Sequence, residues 1–210
     1  GLLKYSDGKL QRHKADIPQA VLALMDDDDC LWIGSQKGIS RMDYRTSVVR
    51  KYIPFDTENR DNRVVTIYKS HAGEIFVATT VGVMQYDRQK DRFEMLPQLT
   101  GITIEHMAED SRGILWMASY STGVYSYDIL HNMLKAHYSP QTGSPDIPDM
   151  ISSVCVDPAD NTWIVGFSSG FFHYSRKDDC FRNYSTKTLQ PLPTDVFFRA
   201  ICDDFGHLWL

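Results

Sequence analysis

The chain has 210 residues, 42% of them hydrophobic, 12% aromatic and 23% charged, with a net charge of -5 and its lysines and arginines scattered. That composition belongs to a folded protein and excludes intrinsic disorder, and no apolar run is long enough to span a membrane. Nucleic acid is not an expected partner, because phosphate binding needs a concentrated basic surface.

In chain order, residues 1–6 read as a strand, Ser6-Asp7-Gly8 as a turn and residues 9–13 as a second short strand. Beyond the break at Pro18, residues 20–25 form a short run that is apolar on both faces. Residues 64–68 and 151–156 do the same, and residues 104–108 less cleanly. Helix is the competing reading, but turn residues leave only five or six positions between breaks, and β-branched residues are frequent. These runs are therefore predicted to be strands covered on both sides.

A strand centred on an aromatic residue follows each such run and recurs once more at the end of the sequence: Trp32, Phe76, Trp116, Trp163 and Trp209, separated by 44, 40, 47 and 46 residues. Six positions before the aromatic stands Asp26, Ser70, Asp110, Asp157 or Asp203, and three before it Asp29, Gly73, Gly113, Asp160 or Gly206. The spacing predicts a turn feeding a strand, with the Asp capping that turn through backbone N–H groups. A third strand opens on Gly38, Gly82, Gly123 or Gly170, where φ > 0 is expected, and closes on Asp43, Asp87, Asp128 or Ser175. Six residues after that closing residue lies Val49, Phe93, Leu134 or Phe181, each inside a fourth strand.

Four strands in 40 to 47 residues make one propeller blade, so the expected fold is an all-β propeller of four-stranded blades. The predicted repeats cover residues 20–53, 64–96, 103–138 and 151–184, with partial repeats at 1–13 and 196–210, forming a single propeller segment over 1–210. Two arrangements stay open: the partial repeats pair into a fifth blade, or, the favoured arrangement, they belong to different blades of a larger ring. Gly34, Ala78 and Ala118 are small where neighbouring blades must approach. The fourth repeat has Val165 there and Gly166 one later, so a bulge or slipped strand at Trp163 is expected. The longest connections, 54–62, 139–149 and 185–194, should emerge on one face, where binding is expected.

The pattern Asp-x-x-Gly-x-Leu-Trp followed by Gly-Val and Tyr-Asp, seen in full at Asp110, Gly113, Leu115, Trp116, Gly123, Tyr127 and Asp128 and begun again at Asp203, Gly206, Leu208 and Trp209, resembles the two-component regulator propeller repeat. Phe76 and Thr162 depart from it mildly. The resemblance covers the whole chain. It implies the periplasmic sensor region of a hybrid two-component histidine kinase, with neighbouring propeller and immunoglobulin-like domains in the same protein, sensing oligosaccharides released from polysaccharides. The kinase and receiver parts of such systems are not in this chain. Because residue 1 already lies inside a repeat, a secretory leader would not be visible here.

The aromatic residues and the Asp and Gly of the repeat read as structural. The run Asp26 to Asp29 lacks the ligand spacing of a calcium loop and reads as a solvated turn. The histidines, His13, His71, His106, His131, His137, His173 and His207, fall at different repeat positions, and no metal or other cofactor is expected. The cysteines Cys30, Cys155, Cys180 and Cys202 lack metal or redox spacing and read as buried free thiols. Ten residues before each aromatic stand Leu22, Thr66, His106, Ser153 and Arg199. If the first strand lines the channel, Thr66, His106, Ser153 and Arg199 are the candidate ligand-binding set, with His106 and Arg199 reaching a sugar hydroxyl or uronate. The competing functions are a noncatalytic glycan sensor, a propeller lyase, and an interaction or homodimerisation scaffold.

Overall fold

The computed structural model describes residues 2–12, 20–52, 63–189 and 191–210, so the expectations resting on Gly1, His13, Pro18, Ile53 and the 54–62 connection lie outside the described residues. Two compact units divide the chain, Gly1–Gly101 and Ile102–Leu210. In the first unit, β1 (Leu3–Ser6) and β2 (Lys9–Arg12) form a hairpin. One antiparallel meander follows in β3 (Val21–Asp27), β4 (Cys30–Ser35), β5 (Gly38–Asp43) and β6 (Val49–Tyr52), and another in β7 (Val64–Lys69), β8 (Ile75–Thr79), β9 (Gly82–Asp87) and β10 (Arg92–Thr100). The second unit holds two more: β11 (Ile104–Glu109), β12 (Ile114–Ser119), β13 (Gly123–Asp128) and β14 (Met133–Tyr138), then β15 (Ile151–Val156), β16 (Thr162–Gly166), β17 (Gly170–Ser175) and β18 (Cys180–Tyr184). It ends in the pair β19 (Ile201–Cys202) and β20 (Leu208–Trp209). Among the described residues the one helical element is a 3-10 turn at Pro140–Thr142.

Each four-stranded sheet is a blade, and within each unit consecutive blades bury one another. Trp32 and Ile39 of one blade meet Val64, Ile75, Val77 and Tyr86 of the next in the first unit. In the second, Trp116, Ala118 and Val124 meet Ile151, Val154, Ile164 and Phe172. Each fully buried aliphatic or aromatic side chain of this kind contributes roughly 1.5–3 kcal/mol. The small residue expected at the blade contact is explained at Gly34, where a Cβ would lie 2.5 Å from Val64 Cγ1. The glycines opening the third strands do take positive φ, 110°, 139°, 88° and 77° at Gly38, Gly82, Gly123 and Gly170.

The turn aspartates cap as expected and also do something the spacing did not reveal. Asp157 Oδ1 accepts from Asn161 N at 2.8 Å, while Oδ2 accepts the Trp163 indole N–H at 3.0 Å. Asp203 does the same for Trp209 at 2.9 Å, and the buried Asp110 for Trp116 at 3.5 Å. Where the aromatic is Phe76, with no indole N–H to satisfy, the capping residue is Ser70, whose Oγ accepts from Glu74 N at 2.9 Å. Burial alone would raise the Asp157 carboxyl, but the Trp163 and Asn161 donors outweigh it and hold it below the usual range.

The blade seams repeat as well. Tyr52, at the end of one blade, and Tyr86, in the next, both donate to Asp91, the former at 2.7 Å. Tyr138 and Tyr174 converge in the same way on Asp179, at 2.7 and 2.6 Å. Arg88 crosses one seam to Asp27 at 3.2 Å and Arg176 the other to Asp110 at 3.8 Å.

Several expectations are corrected. In the first repeat the turn between β3 and β4 is shorter: Asp27 pairs with Cys30, and it is Asp27, not Asp26, whose Oδ2 accepts the Trp32 indole at 3.2 Å. Asp27 is only 6% exposed and also pairs with Lys69 at 2.9 Å, so it is no solvated turn residue, although Asp26, Asp28 and Asp29 are exposed. The run in β3 is not covered on both faces, since Leu22 and Leu24 are 45% and 51% exposed. No bulge forms at Trp163; β16 pairs regularly with β17, and Val165 is buried beside the small Ala200. Strand β10 runs to Thr100, with an irregularity between Met95 and Thr100. Of the cysteines, Cys155 is buried, Cys30 and Cys202 are half-buried and Cys180 is exposed. Trp32, Phe76 and Trp116 are fully buried, Trp163 is half-buried and Trp209 is 62% exposed.

Candidate functional site

Every complete first strand carries a register break near its start, between Val21 and Ala23, Val64 and Thr66, Ile104 and His106, and Ile151 and Ser153. The extra residue bends the strand and re-aims the side chain that follows. Thr66, His106 and Ser153 stand immediately after the break, paired with Ala78, Ala118 and Val165. Arg199 holds the equivalent place ahead of β19, two residues before Ile201, which pairs with Trp209. In the first repeat this position belongs to Ala23, paired with Gly34, and not to Leu22, because the shorter β3–β4 turn removes one residue from the count.

The structure brings His106, Ser153 and Arg199 together in the second unit. Arg199 Nη2 lies 2.9 Å from His106 Nε2, and His106 Nδ1 lies 2.8 Å from the Val154 carbonyl. Both contacts are satisfied by one tautomer, with the proton on Nδ1 donated to Val154 O and the Nε2 lone pair accepting from Arg199. Ser153 is fully buried; its Oγ accepts from Ala200 N at 3.2 Å and lies 3.4 Å from His106 Nδ1. Thr66 is half-buried in the first unit and is not one of the residues in this cluster.

Burial first, and then the Arg199 charge, push the His106 imidazole below its ordinary value, with the Val154 hydrogen bond working the other way. Neutral His106 thus has its free lone pair occupied by Arg199, which leaves no base on that ring for proton abstraction. The exposed Arg199 pairs with no carboxylate among the described residues, so its remaining N–H groups face solvent. The arrangement is a positioned donor suited to holding a hydroxyl or an anion. Elsewhere His131 and His207 bond the turn residues Asp128 and Asp203, and His137 stacks on Tyr125.

Sequence reasoning located three members of this cluster by counting from the aromatic. It missed a row of rings beside it. Tyr120 and Phe167 lie 5.7 Å apart, and Phe167 and Phe198 5.3 Å apart. The signal was there: Tyr120 and Phe167 each stand four residues after a repeat tryptophan.

No family model matches the chain, and no curated protein matches it. Solved structures do. The extracellular domain of a hybrid two-component system from B. thetaiotaomicron superposes with a TM-score of 0.76 at 16% identity, over 96% of this chain and 27% of that one. A second such domain from the same organism gives 0.74 at 20% identity, over 90% of this chain and 25% of that one. Virginiamycin B lyase from Staphylococcus aureus gives 0.70 at 16% identity, over 97% and 67%. The chain therefore has the β-propeller fold, and it spans about a quarter of the length of the two sensor domains.

Proposed function

We propose that this chain is part of the extracytoplasmic sensor propeller of a hybrid two-component system, and that it binds an oligosaccharide without altering it. The observation that carries the reading is the convergence of His106, Ser153 and Arg199, which leaves the exposed guanidinium without a carboxylate partner among the described residues while occupying the imidazole of the cluster. The fold held in common with two extracellular sensor domains of hybrid two-component systems supports the sensor role. A periplasmic location and a part in polysaccharide utilisation follow from the same reading. Ligand acts by binding one arrangement of the linked domains more tightly than another. A second reading, an interaction or homodimerisation surface, is favoured by the exposure of Leu22 and Leu24 on β3.

A thermal-shift screen of the chain against neutral and acidic oligosaccharides tests the proposal, with mass spectra taken from the same wells. Stabilisation by one glycan class, with the glycan mass unchanged, is expected, amounting to about 2.7 kcal/mol at a hundredfold excess over Kd. Cleaved glycan would move the chain to the lyases. A flat screen with a concentration-dependent rise in molecular mass would favour the interaction surface.

A further inference from the structure

Tyr120 follows β12, Phe167 follows β16, and Phe198 precedes β19. The connections that lead into the next strands are drawn to these same hairpin turns: Gly123 N donates to Asp149 O at 2.9 Å, Phe167 N to Met150 O at 3.1 Å and Gly170 N to Asp195 O at 3.0 Å. Tyr120, Phe167 and Phe198 therefore share one end of the second unit's sheets. Their rings meet edge to face, at 62° and 73°, leaving Phe198 70% and Tyr120 38% exposed.

The repeat does not require this row. The positions matching Tyr120 and Phe167 in the first unit are Gln36 and Thr80, and the blades there pack without an aromatic at either place. Tyr120 and Phe167 stand at the ends of complete four-stranded sheets, and the apolar ring surface they present there suits a ligand that covers it. The next residue in the chain after Phe198 is Arg199, whose exposed guanidinium has the neutral His106 as its partner and no carboxylate among the described residues. An aromatic row followed by a cation with no carboxylate partner fits a ligand with a flat C–H face and a negative charge. A polyphosphate chain is disfavoured, because Arg199 is a single cation on a chain of net charge -5.

We propose that Tyr120, Phe167, Phe198 and Arg199 form a binding subsite for an acidic oligosaccharide, the rings covering the sugar faces and the guanidinium pairing with a uronate carboxylate. This rests on the glycan-sensor reading above and narrows it to a charge class. Pyranose C–H faces lie on aromatic rings, and the planar guanidinium matches a carboxylate in two parallel hydrogen bonds.

The test is calorimetric titration of the chain with trigalacturonic acid, with its methyl ester, and with a neutral galactose trisaccharide. The acid is expected to bind at least tenfold tighter than the ester. Phe198→Ala should weaken binding of the acid about tenfold, and Arg199→Gln should erase the preference for acid over ester, with Arg199→Lys restoring part of it. Both side chains are exposed, so the unliganded variants should melt with the wild type, which separates a lost contact from a lost fold. Equal binding of acid and ester, or wild-type affinity in Phe198→Ala, would overturn the inference. If a neutral glycan binds and neither variant affects it, the subsite falls while the glycan-sensor reading stands. If no sugar binds at all, both fall.

Discussion

The smallest recurring device is a carboxylate that serves a turn with one oxygen and an indole with the other. Asp157 and Trp163 show it in full, and Ser70 with Phe76 shows what replaces it when the indole is absent. That exchange was visible in the sequence as Asp before every Trp and Ser before Phe76, but its meaning needed the indole geometry. It predicts coupling: Asp157→Ser and Trp163→Phe should each destabilise by about 1–2 kcal/mol, and the double variant by less than the sum of the two. Denaturant unfolding of all four proteins checks this, and strict additivity would contradict it. The seam carboxylates make a pH prediction. Hydrogen bonds from Tyr174 and Tyr138 hold Asp179 below its usual range. A carboxyl lowered on folding contributes stability that is present above its unfolded value, near ~4, and is lost as pH falls through the folded value. Tyr138→Phe should therefore be less stable than wild type at neutral pH, and the gap should narrow in acid titrations below about pH 4.

At the level of strands, almost every element was legible because the aromatic, the turn Asp and the opening Gly recur together. What misled was counting. A fixed offset from the aromatic fails where a turn changes length, and the two-residue turn between Asp27 and Cys30 moves the position after the register break from Leu22 to Ala23. The expected bulge at Trp163 failed for a packing reason: Val165 is buried beside Ala200, which leaves it room. Gly34 faces the opposite situation. Gly34→Ala should cost roughly 1–3 kcal/mol through the clash with Val64. Adding Val64→Ala should recover part of that loss, and chemical denaturation of the single and double variants decides whether blade approach is what Gly34 serves.

On the scale of the whole chain, the two units repeat one set of seams and differ in what they display. Each carries a tyrosine pair on an aspartate and an arginine crossing the seam. The row of Tyr120, Phe167 and Phe198 beside Arg199 belongs to the second unit. The polar cluster was partly readable because polar residues stood among apolar neighbours at one repeat position. The ring row was readable only at Tyr120 and Phe167, which stand four residues after a repeat tryptophan just past their strands; Phe198 lies in a connection without regular structure, where no periodicity marks it.

The most direct test of a ligand face on the second unit is hydrogen–deuterium exchange on the chain with and without trigalacturonic acid at saturating concentration. Slowed exchange at residues 119–122, 166–169 and 195–201, and at the start of β11, is the result the account predicts. Protection confined to the first unit, or none anywhere, would contradict it.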